Sequence, residues 1–71
     1  MMPEIRTLDR QTIAMVFPNF NEITDFLGTK PAFFEQLNSG VWSLPKKPKT
    51  PNEHWLLMKK EDFNKTKHLL Q

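Results

Sequence analysis

Seventy-one residues without a cysteine make one small domain that neither a disulfide nor a thiolate metal site can staple. Its core must therefore come from the 38% of residues that are apolar, six Phe and two Trp among them. No apolar run approaches the roughly 20 residues of a membrane-spanning helix, and no signal-peptide pattern opens the chain, so a soluble, cytoplasmic protein is expected.

Residues 1–11 are polar and mixed, with Pro3 near the start, and read as a loosely held N-terminal arm. A single domain is expected over 12–71. Thr12 to Phe17 is apolar, partly β-branched and stopped by Pro18, which favours a short strand. Asn19 has the side chain of an N-cap, and Glu22 three residues on suits a capping box. Phe20, Ile23 and Leu27 then fall on one face with Phe26 beside them, giving a helix over about 19–28. Gly28 is expected to end it in the left-handed conformation.

Pro31 suits the first turn of a second helix, over about 31–39. In it Phe34 and Leu37 are expected to face the core, with Gly40 as the stop. Phe33, which cannot easily share that face with Phe34, reads as a wedge, a protein-contact anchor or core, with core or partner contact favoured. Only Gly28, Thr29 and Lys30 separate the two helices, the tight turn of a helix-turn-helix. Val41 to Leu44 reads as a short strand closed by Pro45. Prolines at 45, 48 and 51 keep the basic stretch after it irregular, and Trp55 to Met58 resumes as a strand. The two strands form a hairpin with a long tip, a wing over about 45–54. Glu61 to Leu70 completes the chain as a helix over about 61–70, with acids in its first turn and Lys65, Lys67 and His68 toward its end, as the macrodipole favours. The expected fold is α+β, a small winged helix-turn-helix domain in the order strand, helix, helix, strand, strand, helix.

Catalysis finds no support in these residues. His54 and His68 match no metal spacing such as HExxH, and His54 beside Trp55 reads as a partly covered strand residue. Glu22 and Asp25 share a helical face, where capping and solvation account for both. There is no G-x-S-x-G and no Cys/His pair, and two glycines in all leave no phosphate-cradling loop. The expectation is a protein that is not an enzyme and uses no cofactor or metal.

Duplex DNA is the first partner to consider. The net charge is only +2, but residues 1–45 hold three basic and five acidic groups, whereas residues 46–71 hold seven lysines against Glu53, Glu61 and Asp62. Lys46, Lys47 and Lys49 lie in a stretch that proline keeps extended, where they can follow a phosphate backbone. Lys59 and Lys60 are expected to leave the returning strand on the same side. Binding through such a loop releases counterions and weakens steeply with salt. The plainer reading is that Lys and Pro keep an exposed hairpin soluble and free of edge pairing. On the second helix Lys30, Ala32, Phe33 and Gln36 would enter or border the major groove, Gln36 toward adenine and Ala32 toward a thymine methyl. Glu35 opposes phosphate there, and no arginine is present to read guanine. The candidate DNA-binding set is thus Lys30, Ala32, Phe33, Gln36, Lys46, Lys47, Lys49 and Lys59. A rival of another class is a protein-interaction module with Phe33, Trp42 and Trp55 as anchors, such as a phage-type inhibitor of a host protein.

Asn-Phe-Asn-Glu-Ile-Thr-Asp-Phe-Leu-Gly at 19–28 resembles the opening of excisionase, Cox and MerR-like winged-helix domains. Leu44-Pro45 resembles the Leu-Pro that leads into their wing, and Leu-Met-Lys-Lys-Glu-Asp-Phe at 57–63 resembles its exit into the last helix. The similarity covers residues 19–70. Thr24, Pro31, Phe33, Glu35, Thr66 and Lys67 depart from the pattern. The resemblance implies a phage or mobile-element protein that binds and bends double-stranded DNA and assembles along it. It further implies a tyrosine recombinase as a partner, excision favoured over integration, and, for Cox-type members, transcriptional repression.

Overall fold

In the computed structural model, which describes residues 3–70, Thr12 to Phe17 is an inner strand of a four-stranded antiparallel sheet. In chain order the elements are β1 (Glu4–Thr7), β2 (Thr12–Phe17), α1 (Phe20–Leu27), α2 (Pro31–Asn38), β3 (Trp42–Ser43), β4 (His54–Lys59) and α3 (Lys60–Thr66), which runs into a 3-10 turn at Lys67–Leu70. The strands lie in the order β1-β2-β4-β3. This is a small α+β domain. Among the described residues no helix is long and apolar enough to cross a membrane.

The expected N-terminal arm is the first correction. Glu4 to Thr7 pairs with β2 from Glu4–Val16 to Thr7–Ile13, which adds a strand to the expected order. A tight hairpin makes this possible. The Leu8 N–H donates to the Thr12 carbonyl at 2.9 Å, and the Asp9 carboxylate accepts the Gln11 N–H at 2.7 Å. Polar residues conceal such an edge strand in the sequence, and charge on it discourages further pairing. Met1 and Met2, the start of the expected arm, lie outside the described residues.

The strand register sets the two faces of the sheet. Ile13 lies opposite Met58 and Met15 opposite Leu56, with Trp42 beside Met58. Together with Phe17 these residues meet Ile23, Leu27 and Phe33 of the helices in one buried cluster. Ala14 and Val16 point to the other face, beside Leu57 and Trp55, and are also buried.

Asn19 caps α1 as expected, its side chain accepting the Glu22 N–H at 2.9 Å. Gly28 does not take the left-handed conformation. It continues right-handed at φ −76°, and its N–H donates to the Thr24 carbonyl. The break comes at Lys30, which is extended at φ −147°, ψ 136°, because the ring of Pro31 disfavours helical geometry in the residue before it. The left-handed glycine is Gly40, at φ +83° after the end of α2. The last helix is shorter than expected. The Thr66 hydroxyl donates back to the Asp62 carbonyl at 2.8 Å, and the chain tightens into the 3-10 turn from Lys67.

Two inward-facing assignments are also corrected. Phe33, not Phe34, fills the core: Phe33 is 2% exposed and Phe34 46%. Phe20, expected on the buried face of α1, is 50% exposed, while Phe26 packs against the cluster. The reason is aromatic packing. Phe26 meets Phe17 at 5.3 Å and Phe33 at 4.5 Å between ring centroids, and Phe33 meets Trp42 at 5.6 Å. Inward rotation of Phe34 would separate these rings.

Candidate nucleic-acid interface

Two surfaces carry the residues that the sequence offers to DNA, and they differ in quality. On α2, Phe33 is buried and is removed from the candidate set. Ala32 and Gln36 are half-buried; Phe34, Glu35 and Asn38 are exposed. The outward face of this helix therefore shows an aromatic ring and a carboxylate rather than a row of base readers. Lys30 precedes it, but its ammonium donates to the Leu69 carbonyl at 3.0 Å and lies 5.7 Å from the centroid of Phe33. That bond ties the start of α2 to the C-terminal turn.

The loop from residue 44 to 53 is the second surface. Lys46, Lys47 and Lys49 are all exposed on it. Its far end is shaped by a turn in which the Glu53 N–H donates to the Thr50 carbonyl and the Lys49 N–H to the Glu53 carbonyl, both at 3.1 Å. The Lys49 ammonium folds back to 5.9 Å from the centroid of Trp55. Lys46 and Lys47 thus stand on the nearer limb of the loop, with Lys49 held against the sheet.

Arg6 anchors the returning limb. Its guanidinium donates to Glu53 at 2.9 and 3.2 Å and to Glu4 at 2.7 and 3.0 Å. These bonds hold the Glu53 carboxyl below the usual range, with the Trp55 indole and Lys49 adding to the effect, and raise the pKa of Arg6. The Trp55 indole Nε1 is itself buried and makes no hydrogen bond of ordinary geometry among the described residues. Asp9 is likewise lowered, chiefly by the backbone N–H of Gln11.

Lys59 does not join the loop lysines. It is the last residue of β4 and pairs with Thr12, whereas the loop enters β4 at His54. Five strand steps separate them, roughly 17 Å. Lys59 and Lys60 line a separate cavity of about 460 Å³ with Arg10, Gln11, Glu61 and Asn64. Arg10 is the cation that sequence reading missed, because only the β1–β2 hairpin brings it there. The Lys60 N–H secures the corner by donating to the Gln11 carbonyl at 2.7 Å.

The anchors of the rival reading are redistributed too. Phe33 and Trp42 are buried, Trp42 at 1% exposure, and Trp55 is half-buried. The large exposed rings are those of Phe20 and Phe34. Phe20 faces Leu44, Pro45, Pro48 and Trp55 across a groove of about 240 Å³, rimmed by Lys46, Lys47 and His54. Among the described residues no group of three or more His, Cys, Asp or Glu is placed to hold a metal ion. The chain matches no protein-family model, no curated protein and no solved structure.

Proposed function

We propose that this protein binds duplex DNA as a small winged helix-turn-helix domain, and is a binder rather than an enzyme. The observation that carries the reading is the exposed pair Lys46 and Lys47 on a hairpin loop. That hairpin follows two helices separated only by Gly28, Thr29 and Lys30. The α2 surface supports little base reading, since Phe33 is buried and Glu35 faces out. Affinity is then mostly electrostatic, with contacts that position the protein and carry little sequence information.

The finer reading is an excisionase or Cox-like regulator of a phage or mobile element, acting in recombination or as a repressor. So few base contacts call for several copies or a DNA-bound partner such as a tyrosine recombinase to give useful affinity. The test is fluorescence anisotropy of a labelled random-sequence duplex at low and near-physiological salt. The expected result is binding at low salt that falls steeply as salt rises. No binding even at low salt would overturn the reading.

A further inference from the structure

The groove at the base of the 44–53 loop combines exposed apolar surface with positive charge, and its origin is plain. β3 pairs with β4 only through Trp42–Met58 and Ser43–Leu57. Pro45 has no N–H with which to extend the ladder, so the chain departs from β4 and leaves an opening in front of Trp55. Phe20 remains 50% exposed and Leu44 38% exposed on its walls. In a domain with so small a core, uncovered apolar area forgoes roughly 25 cal/mol per Å² of burial. Lys46, Lys47 and His54 complete the lining, and among the described residues no carboxylate takes part in it.

We propose that this groove receives one apolar side chain from an acidic peptide segment of a protein partner. Size argues for a side chain, because about 240 Å³ lies below the roughly 300–1,000 Å³ of small-molecule sites. A single Leu, Phe or Trp anchor, seated against Phe20 and Trp55, suits that space. Charge selects the flanks: Lys46 and Lys47 attract carboxylates on either side of the anchor and repel a basic segment. Duplex DNA would satisfy the lysines only. Its bases are stacked, and the apolar group it offers in the major groove is a thymine methyl, which leaves Phe20 and Trp55 unused. The acidic peptide accounts for the whole lining. The inference stands apart from the DNA reading; where both hold, peptide and duplex compete for Lys46 and Lys47.

The test is selection of random phage-displayed peptides on the full chain, in parallel with Phe20→Ser/Leu44→Ser and Lys46→Glu/Lys47→Glu variants. The wild type is expected to enrich an apolar residue flanked by Asp or Glu. The first variant should lose that enrichment, and the second should exchange the acidic flanks for basic ones. A synthetic copy of the selected peptide should bind Phe20→Ser roughly tenfold or more weakly than wild type. Phe20 and Leu44 are both exposed, so circular dichroism and thermal melting should show folded variants. The charge reversal, confined to exposed loop residues, supplies a second readout that leaves the core untouched. No enrichment, enrichment without acids, or enrichment that survives Phe20→Ser/Leu44→Ser would overturn the proposal. Loss of duplex affinity in that variant without peptide enrichment would overturn it as well, assigning the groove to nucleic acid. Failure of the DNA reading is seen separately, in the wild-type duplex titration.

Discussion

The rings of Phe26 and Phe33 stack 4.5 Å apart with only 13° between their planes. This stack joins α1 to α2, and both rings rest on Trp42, at 6.2 and 5.6 Å. It also fixes the rotation of α2, and hence which of its side chains a partner can meet.

The first prediction follows from that stack. Phe33→Ala should cost about 3–5 kcal/mol, the usual loss for emptying a buried aromatic site, whereas Phe34→Ala should stay within about 0.5 kcal/mol. Urea denaturation of the two variants measures both values. The opposite ranking would mean that α2 is rotated to bury Phe34.

The two glycines should respond unequally to alanine. Gly40 sits at φ +83°, where a Cβ costs roughly 1–2 kcal/mol. Gly28 is right-handed, and an added Cβ would lie 3.3 Å from the Thr24 carbonyl oxygen, a tight approach in an allowed conformation. Gly40→Ala should therefore lower the melting temperature more than Gly28→Ala. Equal losses would refute the backbone argument.

The pair formed by Arg6 and Glu53 makes stability depend on pH in one direction. Glu53 is held below its ordinary value by the guanidinium, so its contribution is complete above about pH 4.3, the usual Glu value. It fades as the pH falls through the lower folded value, where the carboxylate of the native state takes up its proton. Both side chains are about a third exposed, at 35% and 31%, so the contribution is modest and screened by salt. Thermal melts of wild type and Glu53→Gln across the acid range should show a wild-type advantage at neutral pH that disappears in acid. A difference independent of pH would assign Glu53 a packing role.

Duplex binding should separate the two clusters of cations. Lys46→Ala/Lys47→Ala should weaken binding to every sequence alike and flatten the log–log salt slope by about 1.8, at roughly 0.9 for each phosphate no longer neutralised. Lys59→Ala/Lys60→Ala removes charge at the far end of β4, roughly 17 Å from His54, where the loop enters the strand, so its effect should simply add to the first. Anisotropy titrations over a salt series measure both. An unchanged slope in the first variant would remove the loop from the mechanism.

Signals confined to a few neighbouring residues were legible in the sequence. Asn19 marks the start of α1 because its side chain reaches a backbone N–H three residues on. Pro31 begins α2, and Pro45, Pro48 and Pro51 keep the basic loop out of the sheet, because a proline ring acts on its own residue and the one before. The division of charge between the halves of the chain needs no structure at all. What lay beyond reach depends on distant partners. β1 is too polar to declare itself and exists by pairing with β2. The choice of Phe33 over Phe34 turns on a helical rotation of about 100° per residue, which Phe26 and Trp42 decide from other elements. Arg10 joins Lys59 and Lys60, and Phe20 joins Leu44 and Trp55, only where the folded chain brings remote segments together. Local geometry thus determined where the helices and breaks fall, while long-range packing decided which side chains remain for a partner to touch.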